Sequence, residues 1–317
     1  MNKQNDILVS ICCITYNQAP YIRQCLDGFL MQKTNFKVEI LIHDDCSTDG
    51  TYDHLKEKYK DNDKVTVYKN EVNMGCGKTR KKAMDNYVSG EYVLFLDDDD
   101  KFILDTYFEK AINLFNKYDN LSFVASNHYI RNTMDNSLIP MDLKYGEIID
   151  NRAFFLNFAS EEYKKPIPSD TIFSVKAIKN DNYKNIKIIN DTTIFLTALT
   201  QGKCGFVNEF AIEYTIHGNN ISFDVKLDFI IDNLNEKVNI YNQIDELSNF
   251  NFTAEEKKQW LSNQLDVTII YYLKGSHPSY FKFFKLMLWY KRNVNNKEKM
   301  KEFKQIYKEA IKKGKQI

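Results

Sequence analysis

Residues 7–14 form an almost unbroken run of β-branched and other apolar side chains, which predicts a strand buried on both faces. Behind Pro20, the residues Ile22, Cys25, Leu26, Phe29 and Leu30 recur at helical spacing. Proline is well suited to the first turn, so an amphipathic helix follows the strand. The alternation continues with a strand over 38–42, a helix over 48–59, a strand over 64–68, a helix over 77–88 and a strand over 92–96. Repeated strand–helix units of this kind predict an α/β fold, a mostly parallel sheet flanked by helices on both faces. Farther on, strands are expected over 121–130, 168–175 and 204–216 and a helix over 191–200. After Ser222 the period is helical throughout, over 225–242, 254–273, 280–290 and 297–312. The expected division is an α/β domain over 1–222 and a helical region over 223–317.

Composition narrows the class. With 43% hydrophobic and 27% charged residues in 317, the chain is of ordinary globular make-up. Eleven Gly and five Pro are too few for a linker-rich or low-complexity chain. No stretch reads as a membrane span and 1–6 is too polar for a signal peptide, so a cytoplasmic protein is expected. The six cysteines show neither CxxC pairs nor a zinc-type histidine spacing. A formal net charge of +0 argues against a nucleic-acid binder. It is a sum of opposites, because 282–317 carries twelve basic residues against Glu298, Glu302 and Glu309, leaving that tail at +9 and the rest at −9.

In sheets of this type, ligands bind beyond the carboxyl ends of the strands. Three polar groups stand there: Thr15-Tyr16-Asn17, Asp44-Asp45, and Asp97-Asp98-Asp99-Asp100. Four consecutive carboxylates repel one another and call for a cation, and hard divalent ions bind through one or two carboxylates plus substrate phosphates. The competing reading is an acidic loop that caps a helix over 103–116. The stretch from Asn73 to Arg80 includes Gly77-Lys78-Thr79, but a phosphate-binding Walker loop needs glycine where Val72 stands. What remains is a glycine turn entering a helix, with Lys78 and Arg80 placed to meet a phosphate.

Taken together, the 9–17 run, Leu41-Ile42-His43-Asp44-Asp45 with Ser47 to Thr51, Asn73-Met74-Gly75 with Arg80, and Gly90-Glu91-Tyr92 leading into the acidic run resemble the family 2 glycosyltransferases of GT-A fold. The resemblance is strongest over about the first hundred residues, extends weakly to Ser222, and implies specific roles. Tyr16 and the backbone at Ile14 would line a base pocket, Asp45 would accept from the pyrimidine, and Arg80 would lie beside the nucleotide. The aspartate-any-aspartate motif falls on Asp97 and Asp99, with Asp99 on a Mn²⁺ or Mg²⁺ ion, Asp97 nearer the ribose and Asp98 beside the donor. Acidic Asp98 and Asp100 leave the register of that motif open. Asp191 would be the general base of an inverting transfer, with a plain helix cap as the alternative. His217, in a stretch like the ending of such catalytic domains, would reach the metal or diphosphate, a loop histidine being the alternative. The family usually has Pro at position 14 and Gly at position 46, where this chain has Ile14 and Cys46.

The implied reaction moves sugar from a nucleotide-diphosphate sugar, foremost a UDP-sugar, to a glycan or lipid-linked acceptor in bacterial surface polysaccharide synthesis. Two alternatives stand beside it: a catalytically silent nucleotide-sugar-binding scaffold, and a sugar-phosphate nucleotidyltransferase, which would want a glycine-rich basic loop where Thr15-Tyr16-Asn17-Gln18 stands. For the aromatic, lysine-rich 280–290 segment, the expectation is packing against the rest of the chain or a second copy, with peripheral membrane contact as the alternative.

Overall fold

The computed structural model describes residues 7–18, 22–160, 163–218, 225–276 and 278–314. They fall into two compact units, Met1–Ile216 with Leu247–Phe250, and His217–Glu246 with Asn251–Ile317.

The first unit follows the strand–helix alternation: β1 (Ile7–Thr15), α1 (Ile22–Leu30), β2 (Lys37–Asp44), α2 (Thr51–Lys58), β3 (Val65–Lys69), α3 (Cys76–Asn86) and β4 (Tyr92–Asp97). Next come β5 (Lys101–Phe102), α4 (Tyr107–Lys117), β6 (Leu121–Asn132), β7 (Ser137–Met141), β8 (Ile148–Ile149) and α5 (Asn151–Leu156). The unit closes with β9 (Ile172–Ser174), α6 (Val175–Ile178), α7 (Thr193–Leu199) and β10 (Lys203–Ile216). The sheet runs β3-β2-β1-β4-β9-β6-β10-β5, with β7 added beside β6 and β8 beside β10. β1 to β4 are mutually parallel, β9 is antiparallel to both β4 and β6, and β10 is parallel to β6.

The central strands are apolar on both faces because helices cover them. Val9, Ile11, Cys13, Leu94 and Leu96 enter one core with Leu26 and Phe29 of α1 and Tyr107 and Phe108 of α4. Register then fixes the site edge: Ile14 lies opposite both His43 and Asp97, and Thr15 opposite Asp44. Gly90 permits the turn into β4, since a Cβ there would stand 2.8 Å from the Ser10 nitrogen.

Two expected elements differ. The 168–175 strand shrinks to Ile172–Ser174 because Pro168–Asp170 forms a 3₁₀ turn with proline at its start. The helix expected from 103 begins at Tyr107, since Lys101 and Phe102 first pair with Glu213 and Ile212. The acidic run therefore does not cap that helix.

The second unit is helical: most of α8 (Leu227–Leu247), then α9 (Ala254–Gly275), α10 (Tyr280–Asn293) and α11 (Lys297–Gly314). Leu234, Leu265, Ile269, Tyr272, Leu286, Tyr290 and Phe303 form its core. Thr253 and Glu256 make a reciprocal capping box at the start of α9. Lys237 is buried, its ammonium donating to the Gln264 carbonyl at 3.0 Å and to the Thr268 hydroxyl. Among the described residues no helix is long and apolar enough to cross a membrane.

Candidate active site

The strand ends are tied together before any ligand arrives. Asn17, at φ 55°, donates its N–H to Ser47 Oγ at 2.9 Å, while its Oδ1 accepts from Thr48 N at 2.9 Å. Tyr16, one residue earlier, is 42% exposed, a ring standing free beyond β1, whereas Ile14 is buried. Cys46 holds φ 69°, a left-handed conformation that suits the glycine which the resemblance implies at this position.

Asp45, assigned by the resemblance to the pyrimidine side, is buried directly after β2. Its carboxylate fastens the 74–79 turn: Oδ1 accepts from Asn70 Nδ2 (2.8 Å), Met74 N (2.9 Å) and Thr79 Oγ1 (3.0 Å), and Oδ2 from Gly75 N (2.7 Å). Gly75 holds φ 83° and ψ 150°, a conformation that only glycine adopts readily. The turn feeds α3, on which Lys78 is exposed and Arg80 is buried.

Arg80 is the hinge of the arrangement. Its Nη1 lies 2.6 Å from Asp191 Oδ1 and its Nη2 lies 2.5 Å from Asp97 Oδ1. The guanidinium thus bridges the end of β4 and the segment before α7, which the backbone bond from Ile189 N to the Gly77 carbonyl (2.9 Å) draws against α3. Gly77 eases that approach, because a Cβ there would stand 3.3 Å from the Ile188 Cβ, tighter than usual contact. Asp191 is not a helix cap. Asn190 does that work, its Oδ1 accepting from Thr192 N and Thr193 N at 3.0 Å each, and the half-exposed Asp191 carboxylate points to Arg80.

The acidic turn is electrostatically loaded. Burial pushes the Asp97 carboxyl up, Arg80 pulls it back, and Asp191 and Asp99 push it up again, ending at about 6. Asp98 and Asp100 rise well above the carboxylate range, chiefly by burial and then, for Asp100, by repulsion from Asp99 and Asp97. The Asp100 Oδ1 accepts from Thr215 N at 3.0 Å, while Oδ2 of Asp98 and of Asp100 are buried without a hydrogen-bond partner. Asp99 is half-buried in the same turn. Unsatisfied buried oxygens are costly, and the ones here are hard donors suited to Mg²⁺ or Mn²⁺. Among the described residues no three His, Cys, Asp or Glu side chains form a complete metal cage. His217 follows β10 directly, two residues after Thr215, and is buried as the first residue of the second unit.

Ser169, His128 and Asp170 carried no sequence signal. Ser169 Oγ accepts from Asp97 N at 3.2 Å, and the buried pair His128 Nδ1 and Asp170 Oδ2 meets at 2.8 Å just behind it. His43 stacks on Tyr68 with centroids 4.9 Å apart, and burial, then Lys82, pushes its imidazole down to about 4. An open cavity of about 830 Å³ is lined by Asp142, Lys144, Tyr145 and Tyr163.

The sequence pattern described as glycosyl transferase family 2 matches residues 10–189. The chain belongs to this family. It is a glycosyltransferase of GT-A fold. It is 29% identical over 68% of its length to TuaG of Bacillus subtilis, named as a candidate teichuronic acid biosynthesis glycosyltransferase, and covers 81% of that protein. It is 24% identical over 61% of its length to the poly(ribitol-phosphate) beta-N-acetylglucosaminyltransferase TarS of Staphylococcus aureus. In that pairing it spans 36% of TarS, and it spans 38% of the glycosyltransferase GlyA of Streptococcus pneumoniae. The solved structure of S. aureus TarS 1–349 with UDP-GlcNAc superposes at TM-score 0.61 and 20% identity, covering 97% of this chain and 92% of that one.

Proposed function

We propose that the protein is a metal-dependent, inverting glycosyltransferase that moves a sugar from a nucleotide-diphosphate donor, a UDP-sugar, to a glycan or lipid-linked acceptor of a bacterial surface polysaccharide. The observation that carries this reading is the Arg80 bridge, which ties Asp191 to the acidic turn through one guanidinium. A general base and the donor's leaving group must lie on opposite sides of one reacting carbon, and the bridge sets two carboxylates at that scale. The names of TuaG and TarS support a wall-polymer acceptor and an N-acetylhexosamine-type donor.

On this reading Tyr16 stacks on the base and the backbone at Ile14 borders it. Asp45 shapes the nucleotide side through the Gly75 turn. Asp97 and Asp98 border the donor, and Asp99 would hold Mn²⁺ or Mg²⁺, which when bound neutralises charge on the departing diphosphate. Asp191 takes the proton of the acceptor hydroxyl. The acceptor oxygen then forms its bond to the anomeric carbon as the carbon–oxygen bond to the diphosphate breaks, and the nucleoside diphosphate leaves with that electron pair. Arg80 keeps Asp191 ionised and oriented for this step. The free thiols suit a reducing compartment such as the cytoplasm.

The deciding experiment is thermal shift with a panel of nucleotide sugars, with and without Mn²⁺, followed by NMR of the transferred sugar. Stabilisation by a UDP-sugar only with metal, and inversion at the anomeric carbon, are expected. Retention of configuration would remove Asp191 from the role of base.

A further inference from the structure

α10 (Tyr280–Asn293) buries one face and leaves another bare. Phe283, Leu286, Met287 and Tyr290 pack inside the helical unit, with Phe283 stacked on Tyr307 of α11 at 4.2 Å. Outward stand Tyr280 (72% exposed), Phe281 (64%), Phe284 (48%) and Leu288 (36%). At 3.6 residues per turn these four occupy a continuous arc of roughly 100°, side by side. Lys285 and Arg292 border the arc, Lys291 lies within it near the end of the helix, and Lys282 stands farther round. The Lys285 ammonium sits 4.7 Å from the centre of the Phe281 ring. No acidic residue occurs anywhere in α10.

We propose that this face docks the protein on an anionic lipid surface. Three exposed rings and a leucine in one stripe leave apolar area in water that an interface would cover. Aromatic rings settle at the headgroup boundary while lysine and arginine are drawn to anionic lipid, which is the pairing this helix presents. A second copy fits the face poorly. A two-fold contact would bring Lys285, Lys291 and Arg292 against their own images with no carboxylate on the helix to answer them. The proposal is independent of which sugar is transferred, and its failure would leave the transfer reading intact.

Co-sedimentation of the full chain with vesicles tests it. The protein is expected to pellet with vesicles of phosphatidylcholine plus phosphatidylglycerol, to stay in solution with phosphatidylcholine alone, and to be released by raised salt. Phe281→Ser with Phe284→Ser should abolish pelleting. Lys285→Gln with Lys291→Gln should weaken it about 30-fold, each charge near the surface being worth about one kcal/mol. All four side chains are exposed, and unchanged circular dichroism would confirm that the variants fold. Absence of pelleting with anionic vesicles, or equal pelleting of the wild type and the Phe281→Ser, Phe284→Ser variant, overturns the proposal. A doubling of mass in light scattering that these two substitutions remove, without vesicle binding, would assign the face to a second copy.

Discussion

Arg80 and Asp191 meet at 2.6 Å although 111 positions separate them in the chain. Burial alone would raise the Asp191 carboxyl, but Arg80 and Lys165 outweigh it and hold the group below the usual carboxylate range. A carboxylate so held is ionised across the neutral range and ready to accept a proton, while the same guanidinium steadies Asp97 at the end of β4.

Replacing Asp191 with asparagine keeps shape and removes basicity. Turnover should fall about 100-fold or more, within the usual contribution of a general base, while donor affinity in a binding titration stays as it was. Arg80→Gln removes the positive charge that lowers Asp191. The acid limb of its kcat/KM profile should therefore shift to higher pH than in the wild type; an unmoved limb would mean that Asp191 does not govern it.

Asp99→Asn separates metal chemistry from folding. Losing one charge from a crowded acidic turn relieves repulsion on Asp97, Asp98 and Asp100, so the melting temperature should hold or rise. UDP affinity in isothermal titration should at the same time lose its dependence on Mn²⁺. Retained metal dependence would move the ligand role to another carboxylate of the run.

Asp45→Asn should behave in the opposite way. Four donors converge on this carboxylate, two of them backbone N–H groups of the Gly75 turn. Asparagine keeps one acceptor oxygen but loses the charge and sets an amide donor against a donor, which should cost about 3 kcal/mol, since hydrogen bonds to charged groups are the stronger ones. For a unit of this size that corresponds to a fall of roughly 8 °C in melting temperature, with donor binding weakened as a consequence of the loosened turn.

His43 supplies a pH signature of stability. Its folded value of about 4 lies under the ordinary 6.5, so the unfolded chain takes up the proton first as pH falls. The stability is full above about 6.5, declines as pH drops through that window, and is lost by about pH 4, a difference of about 3 kcal/mol. His43→Phe, which can keep the stack on Tyr68, should flatten this part of the pH–stability curve measured by urea unfolding.

Much of the fold was legible in the sequence because strand and helix periods are local. The run at 7–14 had to be buried on both faces, and the carboxyl ends of β1, β2 and β4 had to carry Tyr16, Asp45 and the acidic run to one edge. The four C-terminal helices were legible for the same reason. Local pattern also misled where neighbours intervened, as when pairing with β10 turned Lys101 and Phe102 into a short strand and a proline turn cut back the strand at 168–175.

The sequence by itself therefore determined the strand–helix alternation of the first hundred residues, the C-terminal helices and the set of carboxylates from which a site could be built, since each follows from spacing within a few tens of residues, while the family was legible as a resemblance of motifs. Tertiary structure decided which partners each carboxylate meets. Asp45 spends itself on the Gly75 turn, Asn190 relieves Asp191 of capping, and Arg80 joins Asp97 to Asp191, because packing of α3 against the Ile188-Ile189 segment brings together groups that no local period connects.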